Sequence, residues 1–427
     1  MSSRFGALFG DMGQMQAYQL AQLQWTVGHA YQGSPFYRER LAAAGVGPSD
    51  IRSLDDLRRL PFTTADDLRQ GYPLPLLSVP TERVVRIHSS SGTTGKRKIL
   101  GYTAQDIADW THFFARCYEM AGVGPGDRVQ IAVGYGLWTA GAGFQSGCEA
   151  AGAMAIPVGP GNMEMQLAFL EDLHSNVLCC TASMGLLLAE EIHRRGMTGR
   201  IHIRSVIQGS ERCSEAMRTR IQELLGAEHV YDITGLTELY GPGTGLDCRY
   251  HQGIHYWSDY YLLEFLDPET LQPVAEGEIG EMVVTTLRKE AAPLLRYRTR
   301  DLCRAIPGPC ACGSVFPRHD RIQGRSDDMI IYRAVNIYPG QIDEMLSQSP
   351  GVSSEYRVVL ERHDGLDQMT IEVERDPAGD AADDGRIQRE FEQLFKRQVM
   401  VSAKLTVCDY GTLPRTERKS KRIFDNR

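Results

Sequence analysis

Apolar residues recur at helical spacing over 13–45, with Pro35 interrupting the run. A second helix is predicted after Pro61-Phe62-Thr63-Thr64, where Asp66 and Asp67 fall in the first turn, as the helix dipole favours. Arg83-Val84-Val85-Arg86-Ile87-His88 reads as a strand, and Lys98-Ile99-Leu100-Gly101-Tyr102-Thr103 resumes a strand pattern after a loop. Beyond a helix at 104–120, strands at 129–133, 153–157, 177–180, 205–208 and 228–232 alternate with helices at 139–151, 163–174, 184–195 and 215–225. That rhythm predicts a parallel α/β layer. From 254 the pattern changes to short runs at 260–266, 280–286 and 294–297 joined by turns, a small β-rich subdomain over about 254–326. The remainder reads as a compact α+β unit, with helices at 339–348 and 384–398 and strands at 354–360 and 369–374. The expected organisation is α/β, with an N-terminal domain over 1–326 and a small C-terminal domain over 327–427.

A chain of 427 residues with 42% hydrophobic content can bury a sizeable core. Its net charge of −8 argues against a nucleic-acid surface. The first thirty residues lack the apolar core of a signal peptide, and no uncharged run is long enough for a membrane span, so a cytoplasmic protein without membrane contact is expected. Cys117, Cys148, Cys179, Cys180, Cys213, Cys303 and Cys408 sit in apolar, helical or strand surroundings and read as buried reduced thiols. The other three stand near histidines. Cys310-Ala311-Cys312-Gly313 is a tight knuckle after Pro307-Gly308-Pro309, and Cys248 precedes His251 and His255. Three thiolates and one imidazole suit a structural Zn²⁺.

The loop between the first two strands changes the picture most. Ser89-Ser90-Ser91-Gly92-Thr93-Thr94-Gly95-Lys96 can wrap backbone N–H groups, hydroxyls and an ammonium around a polyphosphate. It is not a Walker A loop: only two residues separate the glycines, and Arg97 rather than Ser or Thr follows the lysine. Further along, Tyr231-Asp232-Ile233-Thr234-Gly235-Leu236-Thr237-Glu238 ends a strand, where parallel α/β sheets bind ligands. A glutamate there can hold Mg²⁺ against phosphate oxygens. Arg296-Tyr297-Arg298-Thr299-Arg300-Asp301 closes a basic run on a carboxylate able to accept two ribose hydroxyls. Arg321 and Arg325 add phosphate or ribose donors, and 413–422 forms a basic loop near the C-terminus.

These elements, in this order, resemble the adenylate-forming superfamily of acyl-CoA synthetases, adenylation domains and luciferases, and most closely the phenylacetate–CoA ligase family. The likeness runs from Ser34-Pro35-Phe36-Tyr37 to Arg422. It implies a small β-barrel subdomain and a mobile C-terminal domain. By that resemblance Ser89, Ser90, Ser91, Gly92, Thr93, Thr94, Gly95 and Lys96 clasp the ATP phosphates, and Gly209, Ser210 and Glu211 line the adenine. Asp232, Thr234, Gly235 and Thr237 belong to the nucleotide-binding strand end and Glu238 binds Mg²⁺. Asp301 binds ribose with Arg321 and Arg325 nearby, Asp327 is the hinge, and Lys419 bridges carboxylate and α-phosphate. Lys419, Glu238 and Lys96 are the expected catalytic residues. Tyr135, Gly136, Trp138 and Gln145 are expected to line an aromatic-acid pocket, whose Trp138 and Gln145 depart from the family's usual Phe and His. Thr234 stands where the family carries a Tyr, and Arg418 where it carries a Gly. Relatives favour His255 over His251 as partner of Cys248, Cys310 and Cys312.

The expected chemistry is ATP-dependent formation of an aryl-AMP and transfer to a thiol, that of CoA. Transfer to a carrier protein's phosphopantetheine or to an amine, and a non-catalytic nucleotide-binding homologue, are the alternatives, and a homodimer is compatible with the sequence.

Overall fold

The computed structural model describes residues 11–90, 97–333, 335–363, 366–414 and 422–427. Asp11 caps the first helix, Met12–Gly33, by accepting from the Gly13 N–H, and Pro35 opens the next, Pro35–Ala43. The centre of the molecule is a nine-stranded mixed sheet. Arg128–Ile131, Met154–Ile156, Val177–Thr181, Ser205–Gly209 and His229–Leu236 run parallel within it. Their apolar side chains feed two cores, as a parallel sheet covered on both faces requires. Val129 and Ile131 pack with Phe113, Phe114 and Phe144 on one side; Leu178, Cys180 and Val206 pack with Leu188 and Ile221 on the other. The expected strand–helix alternation is present, with Thr139–Ala151 and Glu215–Leu225 at the expected bounds.

The sheet does not stay parallel. Gly241–Asp247 reverses against His229–Leu236, and Ile254–Tyr256, Arg318–His319 and Ala305–Ile306 continue antiparallel to the edge. Its Gly-Pro-Gly opening carries no hydrophobic alternation, which is why the sequence gives no strand signal there. Strands of the 254–326 region therefore divide between two sheets. The second is four-stranded and antiparallel: Tyr261–Leu266, Gly280–Thr286, Tyr297–Cys303 and Gly324–Arg325. Among the described residues its last strand is two residues long and pairs with Tyr297–Cys303. The strand expected at 294–297 starts instead at Tyr297, since Leu294 and Leu295 turn wholly into the core.

In the last third, Val352–His363 and Leu366–Arg375 form a long hairpin flanked by parallel strands Lys404–Cys408 and Ile423–Asp425. Helices Pro339–Ser347 and Asp384–Val399 contribute Ile342, Met345, Phe391 and Phe395 to a third, separate core. Among the described residues no helix is long and apolar enough to cross a membrane.

Candidate active site

Arg86–Ser89 pairs antiparallel with Ile99–Tyr102, so the Ser/Thr/Gly stretch is a loop fixed at both ends. Its centre, Ser91, Gly92, Thr93, Thr94, Gly95 and Lys96, lies outside the described residues. At its described ends the Ser90 N–H donates to the Lys98 carbonyl (3.1 Å), the Ser89 N–H donates to the Leu137 carbonyl (3.0 Å), and the buried Ser90 hydroxyl has no partner among the described residues. Lys98 leaves the loop and forms an ion pair with the Glu238 carboxylate, which also accepts from the Tyr297 hydroxyl (3.3 Å). Burial alone would raise the Glu238 carboxyl, but attraction to Lys98 and the hydrogen bonds outweigh it, and the group stays below the usual carboxylate range. Lys98 is not among the lysines expected from the sequence, because it reads as one more polar position of a strand; the expected Lys96 lies outside the described residues.

The turn carrying Glu238 is gripped through its backbone. Tyr102 Oη lies 3.1 Å from the Thr237 carbonyl and 2.9 Å from the Tyr240 carbonyl and donates to them, while Lys289 Nζ donates to the Glu238 carbonyl at 2.8 Å. Gly235 is dictated by close approach: a Cβ there would fall 2.2 Å from the Gly241 carbonyl oxygen.

The expected nucleotide-binding residues cluster at the same strand ends. Gly209 pairs with Ile233, Thr234 with Gly245, and Ser210 is exposed in a left-handed conformation (φ 69°). Glu211 accepts from the Ser183 N–H at 2.6 Å, at the first turn of helix Ala182–Arg194. Asp232 is buried and its N–H donates to Asp247 at 2.7 Å; burial first, then the Asp247 charge, push its carboxyl up to about 7. Arg321 pairs with Glu215 at 2.8 Å and stands 3.8 Å from Asp232. Arg325 lies 3.1 Å from the Asp301 carboxylate and forks onto Asp327 at 2.8 and 2.9 Å, so one guanidinium joins the expected ribose and hinge residues. Lys419 lies outside the described residues.

On the acid side, the Tyr135 ring rests on Gly141, where a Cβ would come within 2.5 Å of it, and the buried Tyr135 hydroxyl has no partner among the described residues. Gly136 follows with φ 83°. Trp138 is 37% exposed and Arg97 stacks on its ring at 5.2 Å. Gln145 turns to Glu149 at 2.8 Å, one turn along its own helix.

A second constellation lies at the antiparallel end of the large sheet. Cys248 Sγ is 3.6 Å from Cys310 Sγ, Cys312 Sγ is 3.3 Å from His255 Nε2, and one ligand atom from each of the four residues lies within 4.8 Å of every other. A tetrahedral zinc with bonds of about 2.0–2.3 Å has donor–donor edges of about 3.3–3.8 Å. His255 is wholly buried, and its Nδ1 lies 3.0 Å from the Phe316 carbonyl; donation there leaves the Nε2 lone pair for a metal. His251 is engaged elsewhere, 2.8 Å from Asp247 and 3.3 Å from His229.

Comparison with known proteins agrees with this geometry. Residues 43–287 match the AMP-binding enzyme family, and residues 334–427 match the AMP-binding enzyme C-terminal domain. The phenylacetate-coenzyme A ligase of Escherichia coli (strain K12) is 40% identical over 420 residues, covering 97% of this chain and 95% of that protein. The crystal structure of 2-hydroxyisobutyryl-CoA ligase in its postadenylation state with 2-HIB-AMP superposes with a TM-score of 0.90 at 27% identity, over 99% of this chain and 92% of that one. The same ligase with 2-HIB-AMP and CoA in the thioesterification state, at 27% identity over 99% of this chain and 91% of that one, gives 0.72. Matched from strand ends to C-terminal domain, the chain belongs to the AMP-binding, adenylate-forming enzymes, within the phenylacetate–CoA ligase family.

Proposed function

We propose that this chain activates an aromatic carboxylic acid with ATP and passes the acyl group to CoA. One observation carries the reading: Lys98 at the end of the Ser/Thr/Gly loop, Glu238 at a strand end and Tyr297 of the second sheet meet in direct contact, beside the Asp301–Arg325 pair. The relative from Escherichia coli, a phenylacetate-coenzyme A ligase, supports an aromatic acid and CoA.

In the first half-reaction a carboxylate oxygen of the acid attacks the α-phosphorus of ATP and pyrophosphate leaves. Both reactants are anions, so the site's task is to offset their repulsion. Lys96, Lys98 and the Ser89–Gly95 loop donors surround the phosphates, Asp301 with Arg325 orients the ribose, and Lys419 reaches the reacting carboxylate. Glu238 is the carboxylate suited to Mg²⁺, which when bound neutralises phosphate charge. In the second half-reaction the CoA thiol attacks the acyl carbon and AMP leaves. Tyr135, Gly136, Trp138 and Gln145 border the acid, with the aromatic rings stacking on it. Asp327 is the hinge on which residues 327–427 turn between the two steps.

We also assign Cys248, His255, Cys310 and Cys312 a structural Zn²⁺. A closed shell of four protein donors leaves no open position for chemistry. Elemental analysis should find about one zinc per chain, and well under one rejects the assignment.

The deciding experiment is ATP–pyrophosphate exchange across a panel of aromatic acids, followed by CoA thioester analysis. Exchange that depends on an aromatic acid, with thioester formed on adding CoA, is expected. Exchange that no aromatic acid supports would overturn the reading.

A further inference from the structure

Lys289 is a fully buried lysine with 0% exposure, and no carboxylate among the described residues pairs with it. An unpaired buried cation is costly, so its retention calls for a role. Its surroundings are built. Helix Ala104–Met120 opens with Asp106, whose two oxygens accept from the N–H groups of Glu290 (2.7 Å) and Ala291 (3.0 Å). One turn on, Asp109 holds the Arg288 guanidinium at 3.0 and 3.1 Å. The helix thus clamps the segment on both sides of Lys289 and points its ammonium at the turn below the active site. There Nζ donates to the Glu238 carbonyl at 2.8 Å and sits 4.9 and 5.1 Å from the ring centroids of Tyr102 and Tyr240. The Tyr102 hydroxyl takes the Thr237 and Tyr240 carbonyls of the same turn.

We propose that Lys289 is a positioning residue: its ammonium fixes the backbone of Glu238 from beneath, so that the carboxylate is presented to the divalent cation that accompanies ATP. The inference rests on the assignment of Glu238 as the Mg²⁺ carboxylate. The groups facing Lys289 are Asp106, Glu238, Tyr102, Tyr240 and His88. Burial holds the two phenols well above 10 and His88 below its ordinary value. Burial, opposed by Asp106 and Glu238, brings Lys289 itself down to about 8.

The test is calorimetric binding of ATP to the full chain at stepped Mg²⁺ concentrations, run beside acid-dependent pyrophosphate exchange. Lys289→Met keeps the side-chain length and removes the charge. It should raise the Mg²⁺ concentration for half-maximal ATP binding about tenfold or more, and exchange at saturating Mg²⁺ should stay within about threefold of the parent. An unchanged Mg²⁺ requirement in a folded variant overturns the inference. Where Lys289→Met does not fold, Lys289→Gln is read the same way, and an unchanged Mg²⁺ requirement in it overturns the inference. Failure of exchange with every acid, while Mg²⁺-dependent ATP binding persists, sinks the proposed activity but leaves the Lys289 inference to the calorimetry.

Discussion

At the scale of single residues, the site is a set of charges held by neighbours of opposite sign. Glu238 bonds to Lys98 through its carboxylate and to Lys289 through its carbonyl, so substitutions at these three have separable effects. Glu238→Gln keeps the shape and removes the charge; it should lower pyrophosphate exchange about a hundredfold, roughly the loss of one preorganised electrostatic contact. Asp301→Asn should raise the KM for ATP about tenfold with kcat nearly unchanged, as expected when a uniform binding contact is lost. Lys289 also marks the stability profile. Its proton leaves near pH 8 in the folded chain but only near 10.4 when unfolded, so between these values the unfolded state binds more protons. Stability should therefore rise with pH across that window, by at most about 1.4 kcal/mol per pH unit for this one group. Lys289→Met should remove that part of the slope in chemical denaturation measured from pH 8 to 10.

At the scale of elements, what was legible followed hydrophobic periodicity. Helix Thr139–Ala151 and strand Gly280–Thr286 carry enough patterned apolar residues to declare themselves, and both lie at the expected bounds. Gly241–Asp247 does not, because glycines and a proline hide a strand held by its neighbours rather than by its own side chains. Lys98 and Lys289 were invisible for a related reason. A lysine in a polar run looks like a solvated one, and only the folded chain shows that the first meets Glu238 and the second has no solvent. The four metal-site residues were legible as donor types, but 62 positions separate Cys248 from Cys310, and only the pairing of Ile254–Tyr256 with Arg318–His319 brings the halves together. If the proposed zinc is bound there, Cys310→Ser should lose it by elemental analysis and lower the melting temperature by roughly 5–10 °C. Because the cluster fastens the sheet edge rather than the cleft, acid-dependent exchange in the folded variant should change less than threefold.

At the scale of the whole molecule, the better superposition on the postadenylation state of 2-hydroxyisobutyryl-CoA ligase than on its thioesterification state describes the arrangement of this chain. If Lys419 serves only the first half-reaction, Lys419→Ala should abolish pyrophosphate release and leave thioester formation from synthetic acyl-AMP within about threefold; equal loss of both steps in a folded variant would count against a turning domain. The Arg325 fork sets a condition on any such turn. Its guanidinium reaches Asp301 and Asp327 together. If Asp301 holds the ribose and the chain turns at Asp327, as proposed, rotation strains one of these grips, and the sugar end of the nucleotide and the swivel draw on a single shared latch.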